Sequence, residues 1–326
     1  PGDICAVAKI DEIHYDAILH DSHDEDHFHL KPIDFPQPMY GLAVQPQARG
    51  QEQKLAQAIA KLAEEDPCFT VEQNQELNET VIRGLGELHM RVMLQRMQQR
   101  YNVEVDTRPP RIAYRETVTR AAEGHYRHKK QTGGAGQFGE VYLRVEKLDR
   151  GAGFEFVDKV KGGNVPREYI PAVEKGVAET MVDGGVYGFP VVDVQVAVYD
   201  GKYHSVDSSE MSFKMAGRLG FKAAMEQAGP ALLEPISRVQ VTVPADYQGD
   251  VMGDLSSRRG QLQGTEAAPG GMQLITALVP TSEIMNYAID LRSLTQGWGR
   301  FRTEHDHYQE MPSHMADQVV AEMEED

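Results

Sequence analysis

Two cysteines in 326 residues, Cys5 and Cys68, are too few and too far apart for a disulfide framework or a zinc site. Their scarcity fits a reducing compartment, and a cytoplasmic protein is expected. No apolar run approaches the roughly 18 residues of a membrane span, so no membrane partner is expected. No charged segment followed by an apolar one opens the chain, which argues against secretion. The chain starts at Pro1 without a methionine, as a fragment would, although processing leaves the same start. Missing too are a Ser-His-Asp order, a paired-carboxylate motif and zinc-ligand spacing. An enzyme with its active site wholly inside this chain is therefore not expected, nor is a resident metal. The His/Asp run over 20–29 and the alternating Glu304-His305-Asp306-His307 read as solvated loop and strand faces rather than metal sites.

Net charge is −17, and its distribution matters more than its sum. Residues 1–34 carry −7 and residues 303–326 carry −8, leaving only −2 on the 268 residues between. Within that middle, 108–130 holds seven Lys/Arg against Glu116 and Glu123, a local +5. Directly after comes Gln131-Thr132-Gly133-Gly134-Ala135-Gly136-Gln137, a loop almost without side chains. Glycines let a backbone approach a partner closely. Lys129 and Lys130 beside them favour a polyanion, because neutralising phosphates releases counterions. RNA is the expected partner. Two other readings compete. Gly134-x-Gly136-x-x-Gly139 matches a dinucleotide fingerprint, but that fold needs a helix next and the alternating strand Val141–Val145 follows instead. The plainer reading is a glycine-rich hairpin turn with no partner.

The length implies two to four domains. Residues 39–112 read as βαββαβ: a strand at Tyr40–Gln45, a helix at 51–65, strands at Phe69–Gln73 and Thr80–Arg83, a helix at 86–101 and a strand at Val103–Val105. The order returns near the C-terminus, with a strand at Val239–Val243, a helix at 247–258, strands at Gln261–Thr265 and Met272–Val279, a helix at 283–293 and a strand at Arg300–Asp306. Between them lie a helix at 167–183 and a strand at Val192–Val198, which Asp200-Gly201 should turn. A capping box at Asp207-Ser-Ser-Glu210 follows, with Asp207 as N-cap of a helix burying Met211, Met215, Leu219 and Ala223. The fold class expected is α+β multidomain: two ferredoxin-like βαββαβ modules flanking a central α/β domain. Residues 1–35 read as short strands, the tail of a domain that begins earlier. Residues 313–326 are acidic and are expected to be disordered.

Several segments are similar to elongation factor G in collinear order over almost the whole chain. They are Tyr114-Arg-Glu-Thr117, His128-Lys-Lys-Gln131 with Gly133-Gly-x-Gly-Gln137, Val165-Pro-x-Glu-Tyr-Ile-Pro171 and Tyr203-His-x-Val-Asp-Ser-Ser-Glu210. Gly249-Asp-Val-x-Gly-Asp254, Arg258-Arg-Gly260 and Asp290-Leu-Arg-Ser-x-Thr-Gln-Gly297 complete the set. The resemblance implies the end of β-barrel domain II (1–35), domain III (38–112), a ribosomal-protein-like domain IV (113–235), domain V (236–312) and a tail (313–326).

It also implies a role in GTP-dependent movement of tRNA and mRNA on the ribosome. GTP and Mg²⁺ would belong to a domain absent from this chain, which has no P-loop; no cofactor is expected within it. The tip of domain IV would enter the decoding region beside the A-site tRNA–mRNA, through Lys129, Lys130, Gln131, Thr132, Gly133, Gly134, Gly136 and Gln137. The neighbouring loop would add His204, Ser205, Asp207 and Ser208. Domain V would lie against the GTPase-associated rRNA of the large subunit, and the protein would act as a monomer. Ala135 and Trp298 stand where the family commonly has arginine, each removing about one unit of salt-dependence slope from an RNA-facing loop. With the acidic ends, they raise the alternative of a divergent paralogue, or a factor that protects or recycles ribosomes without translocating.

Overall fold

Residues 4, 6–10, 13, 15–25, 27–131 and 136–325 are described by the computed structural model. Before Tyr40 the described residues contain one short 3-10 turn, His23–Glu25, and no strand. Among the described residues of 1–35 the expected strands are absent. Ile4, Leu19, Phe28, Leu30 and Ile33 are exposed, so alternation alone, with no neighbouring strand to pair, does not make a sheet.

The first module begins with β1 (Tyr40–Pro46), α1 (Glu52–Glu65) and β2 (Thr70–Asn74). β3 (Glu79–Gly84), α2 (Glu87–Tyr101) and β4 (Val105–Arg108) complete it. Its antiparallel sheet has the order β2-β3-β1-β4, the ferredoxin-like arrangement. Leu55, Ala58, Ile59 and Leu62 of α1 and Met90, Met93 and Met97 of α2 fill the core at helical spacing. Val103, expected to start the last strand, instead plugs this core. Asn102 ends α2 in the left-handed region, and pairing is delayed to Val105.

The central segment opens with β5 (Arg115–Val118), β6 (Ala122–Lys130), β7 (Gln137–Lys147) and β8 (Phe154–Asp158). It continues through α3 (Ile170–Asp183), β9 (Val194–Lys202) and α4 (Glu210–Gln227). Its sheet runs β6-β7-β9-β8, antiparallel except for the β8–β9 pair. α4 lies on β6 and β7, with α3 beside it. Backbones meet along this seam. A Cβ on Gly124 would strike the carbonyl of Gly220, one on Gly176 the carbonyl of Lys214, and one on Gly217 would sit 2.7 Å from the Val173 oxygen. Only glycine fits such approaches.

Two local expectations change here. β9 does not turn at Asp200-Gly201. It continues to Lys202 through a bulge opposite Tyr142 and Leu143, and Gly201 is needed because a Cβ there would meet the Glu140 carbonyl. The N-cap of α4 is Ser209, whose Oγ accepts from Ser212 N, not Asp207. The buried face also differs, lying one or two residues further on at Phe213, Ala216, Phe221 and Ala224, and Met211 is exposed.

The second module comprises β10 (Pro230–Pro244), α5 (Gln248–Ser257), β11 (Gln261–Ala268), β12 (Met272–Pro280), α6 (Tyr287–Leu294) and β13 (Arg300–Glu310). The order β11-β12-β10-β13 repeats the ferredoxin-like pattern, and the hairpin turns at Gly270 and Gly271, both at positive φ. The expected disorder after residue 312 is overturned: α7 spans Ser313–Glu325. Its acidic residues Asp317 and Glu322 face water, while Ala316 is buried with Met311, Phe189 and Leu232, and Met315 and Val319 pack beside them. An amphipathic stripe outweighs an acidic composition.

The chain divides into two compact units, residues 1–111 with 238–304 and residues 112–237 with 305–326. The whole is a mixed α+β multidomain protein. Among the described residues no helix is long and apolar enough to cross a membrane.

Candidate functional site

The basic-glycine stretch is the end of a long antiparallel hairpin. β6 and β7 pair from Ala122↔Val145 to Lys130↔Gln137, the pair that precedes the connecting segment. The glycine motif leads into a strand, not a helix, and has no helix N-terminus to hold a pyrophosphate. Thr132, Gly133, Gly134 and Ala135 lie outside the described residues. Lys129, Lys130, Gln131 and Gln137 are exposed.

The second loop, 203–208, meets the hairpin at this end. Phe138 N donates to the Asp207 carbonyl (2.8 Å), Ser208 Oγ donates to the Phe138 carbonyl (3.0 Å), and Gly136 N donates to Asp207 Oδ1 (3.1 Å). Gly136 and Asp207 are 71 positions apart, and a Cβ on Gly136 would come 2.8 Å from the Asp207 carboxyl carbon. Asp207, freed from capping α4, thus ties one tip loop to the other. Within the second loop His204 N donates to Ser208 Oγ (2.8 Å), and Asp207 N points at His204 Nδ1 (3.2 Å). Nδ1 also lies 3.3 Å from Asp207 Oδ2, so amide and carboxylate of the same residue both hold the imidazole in the loop. His204 and Ser205 are exposed and Ser208 is half-buried.

A brace sits behind the tip. Glu140 is only 2% exposed and accepts from Arg127 Nε (2.9 Å), with His125 Nε2 at 2.9 Å. Burial acts to raise its pKa. The hydrogen bonds from His125 and Arg127, with the charges of Arg127 and Lys202, outweigh it and hold the carboxyl below its ordinary value. Arg127 also lies over the Phe138 ring (5.9 Å), and His128 Nε2 is 3.0 Å from Gln137 Oε1.

Sequence reasoning missed three contributors. Tyr203 and Val206 are 51% and 76% exposed on the second loop, presenting apolar surface at a polar tip. A third loop follows β8, which runs parallel to β9 and so leads to the same end of the sheet. It carries exposed Lys159 and Lys161, and Asn164 Nδ2 donates to Asp200 Oδ1 (2.8 Å). The lysine spacing was visible in the sequence; the pairing that brings it to the tip was not. Away from the tip, Glu116 is fully buried and gathers the loop before β9, accepting from Val186 N (2.7 Å), Tyr187 N (2.9 Å) and Phe189 N (2.8 Å). Burial pushes its pKa up against the pull of those amides. Among the described residues no three His, Cys, Asp or Glu side chains gather as metal ligands would.

In chain order, a ferredoxin-like module, a central segment with a basic hairpin and a second ferredoxin-like module make up the chain. The description "Elongation Factor G, domain III" matches residues 35–109, "Elongation factor G, domain IV" 110–229 and "Elongation factor G C-terminus" 231–319. This chain belongs to the elongation factor G family. A crystal structure of a Thermus thermophilus protein is similar, with 39% identity and a TM-score of 0.78 over 95% of this chain. This chain spans 46% of the length of that one.

Proposed function

We propose that this chain is the ribosome-contacting part of an elongation factor G-type translational GTPase that promotes translocation of tRNA and mRNA. The family implies GTP, yet this chain has no glycine loop followed by Lys-Ser or Lys-Thr, and its one glycine motif runs into β7. Nucleotide chemistry is therefore assigned to a part of the polypeptide outside these residues. The observation that carries the proposal is the join of Gly136 and Phe138 to Asp207 and Ser208 of the second loop. Backbone amides, Gln131, Gln137 and the His204 ring present donors to riboses and phosphates, while Lys129 and Lys130 supply attraction. Tip, decoding region and tRNA–mRNA in the A site are the contacts proposed for the central domain. GTPase-associated rRNA is proposed for the second module, and the protein is taken to act as a monomer.

The test is a toeprint on pre-translocation ribosomes, using the full-length parent with GTP, beside variants lacking Gly133 to Gly136 or carrying Asp207→Ala. A one-codon advance with the intact protein, abolished by the deletion and slowed by D207A, is expected. GTP hydrolysis with an unmoved toeprint would replace translocation by a ribosome-bound paralogue with another task. Ala135 and Trp298, in place of cations, are the residues that favour that second reading.

A further inference from the structure

The chain has a single tryptophan, and it is not in a core. Trp298 is 64% exposed on the loop between α6 and β13. Exposing so large an apolar ring is costly unless something covers it. The loop beneath it is held firmly. Thr295, fully buried, donates through Oγ1 to the Leu291 carbonyl (2.6 Å) and accepts from Gly299 N (2.8 Å). Gly297 N donates to the Arg292 carbonyl (2.8 Å), and Trp298 N donates to Thr295 O (3.1 Å). Gln296 and Gly297 take positive φ to close the turn. The indole is therefore carried on a rigid turn, which limits the ordering cost of binding.

Two cations accompany it. Arg292 and Arg300 flank the turn, and neither has a carboxylate within ion-pair reach among the described residues. The Arg292 guanidinium lies against the Gly86 backbone, where a Cβ would come 2.6 Å from Nη1. Cations with no carboxylate partner among the described residues, two and six positions along the chain from an exposed planar ring, select a polyanion with flat apolar faces. Nucleic acid is that ligand. Every base offers a face to an aromatic ring, and its phosphates meet the cations.

We infer that Trp298 is a preorganised stacking platform for an unpaired RNA base, with Arg292 and Arg300 on the adjoining phosphates. The inference rests on the ribosome reading above and gives the second module a base contact of its own. Stacking also carries little salt dependence, whereas a cation at the same place would add about one unit of slope.

The chain is titrated against purified large ribosomal subunits at two salt concentrations, as wild type and as Trp298→Ala, Trp298→Phe and Trp298→Arg. Quenching of the tryptophan is then followed with the deproteinised RNA of that subunit. W298A should bind about tenfold more weakly with an unchanged melting temperature, and W298F should stay near wild type. W298R should regain affinity with a salt slope steeper by about one. Free RNA should quench the indole. Equal binding by W298A and wild type overturns the inference and leaves the ribosome reading intact. Weak W298A binding without quenching by free RNA assigns the ring to a ribosomal protein, which also overturns it. Failure of the wild type to bind ribosomes sinks the ribosome reading itself and the inference with it.

Discussion

Glu116 and Glu140 are two buried carboxylates with different tasks, and each makes a measurable claim. Glu116 accepts three backbone N–H groups, so Glu116→Gln turns an amide donor toward donors already there. A loss of about 1–3 kcal/mol in urea unfolding is expected, with no change in the tip residues. Glu140 has a depressed folded-state pKa, so its contribution is complete above the unfolded value near 4.5 and disappears as pH falls through the folded value. Thermal melts taken below that pH should fall more steeply for wild type than for Glu140→Gln. Sequence pattern did not show either role. Arg115-Glu116-Thr117 reads as ordinary strand alternation, and the amides that Glu116 captures lie about 70 positions away. Asp207 was readable as a cap because Glu210 follows at the right spacing. Ser209 takes that place because the helix begins later, at Glu210, so its Oγ is the one set to accept from Ser212 N, and Asp207 accepts from Gly136 instead.

At the level of elements, the tip is a joint between a hairpin and a loop. Asp207→Ala removes the acceptor of the Gly136 amide while leaving the bond from Phe138 N to the Asp207 carbonyl. Hydrogen exchange at Gly136 should quicken about tenfold, and Phe138 should stay protected. α7 is a second such element. Deleting 313–326 uncovers Met311 and Phe189, and the central unit should lose roughly 2 kcal/mol in chemical unfolding. The periodic elements were the legible ones. α1, α2 and α3 bury Leu55, Ile59 and Leu62, Met90, Met93 and Met97, and Val173 and Val177 as their spacing requires. α7 was obscured because acidic composition masks a stripe only three or four side chains wide. The length of β9 was obscured because Asp-Gly is a turn signal that a bulge and a close backbone approach can override.

At the level of the whole molecule, neither compact unit is one stretch of chain. The central unit borrows residues 305–326, which bring Tyr308 Oη to the Ala113 carbonyl (3.0 Å) and Glu310 near Arg150. Residues 112–237 expressed alone should therefore melt earlier than the same segment joined through a flexible linker to 305–326. Calorimetry on the two polypeptides decides it. The repeat of βαββαβ around a central segment was legible because both modules alternate periods clearly; the sharing of 305–326 was not, since nothing local marks a strand end as belonging to a distant unit. The glycine seam between α4, α3 and β6 has its own consequence for anyone reading this protein through variation. In a saturation survey of growth, Gly124, Gly176 and Gly217 should reject nearly every replacement, as a reactive centre would. Such a map would draw the eye to a seam of packed backbone, while the tip proposed to meet RNA should tolerate many single changes.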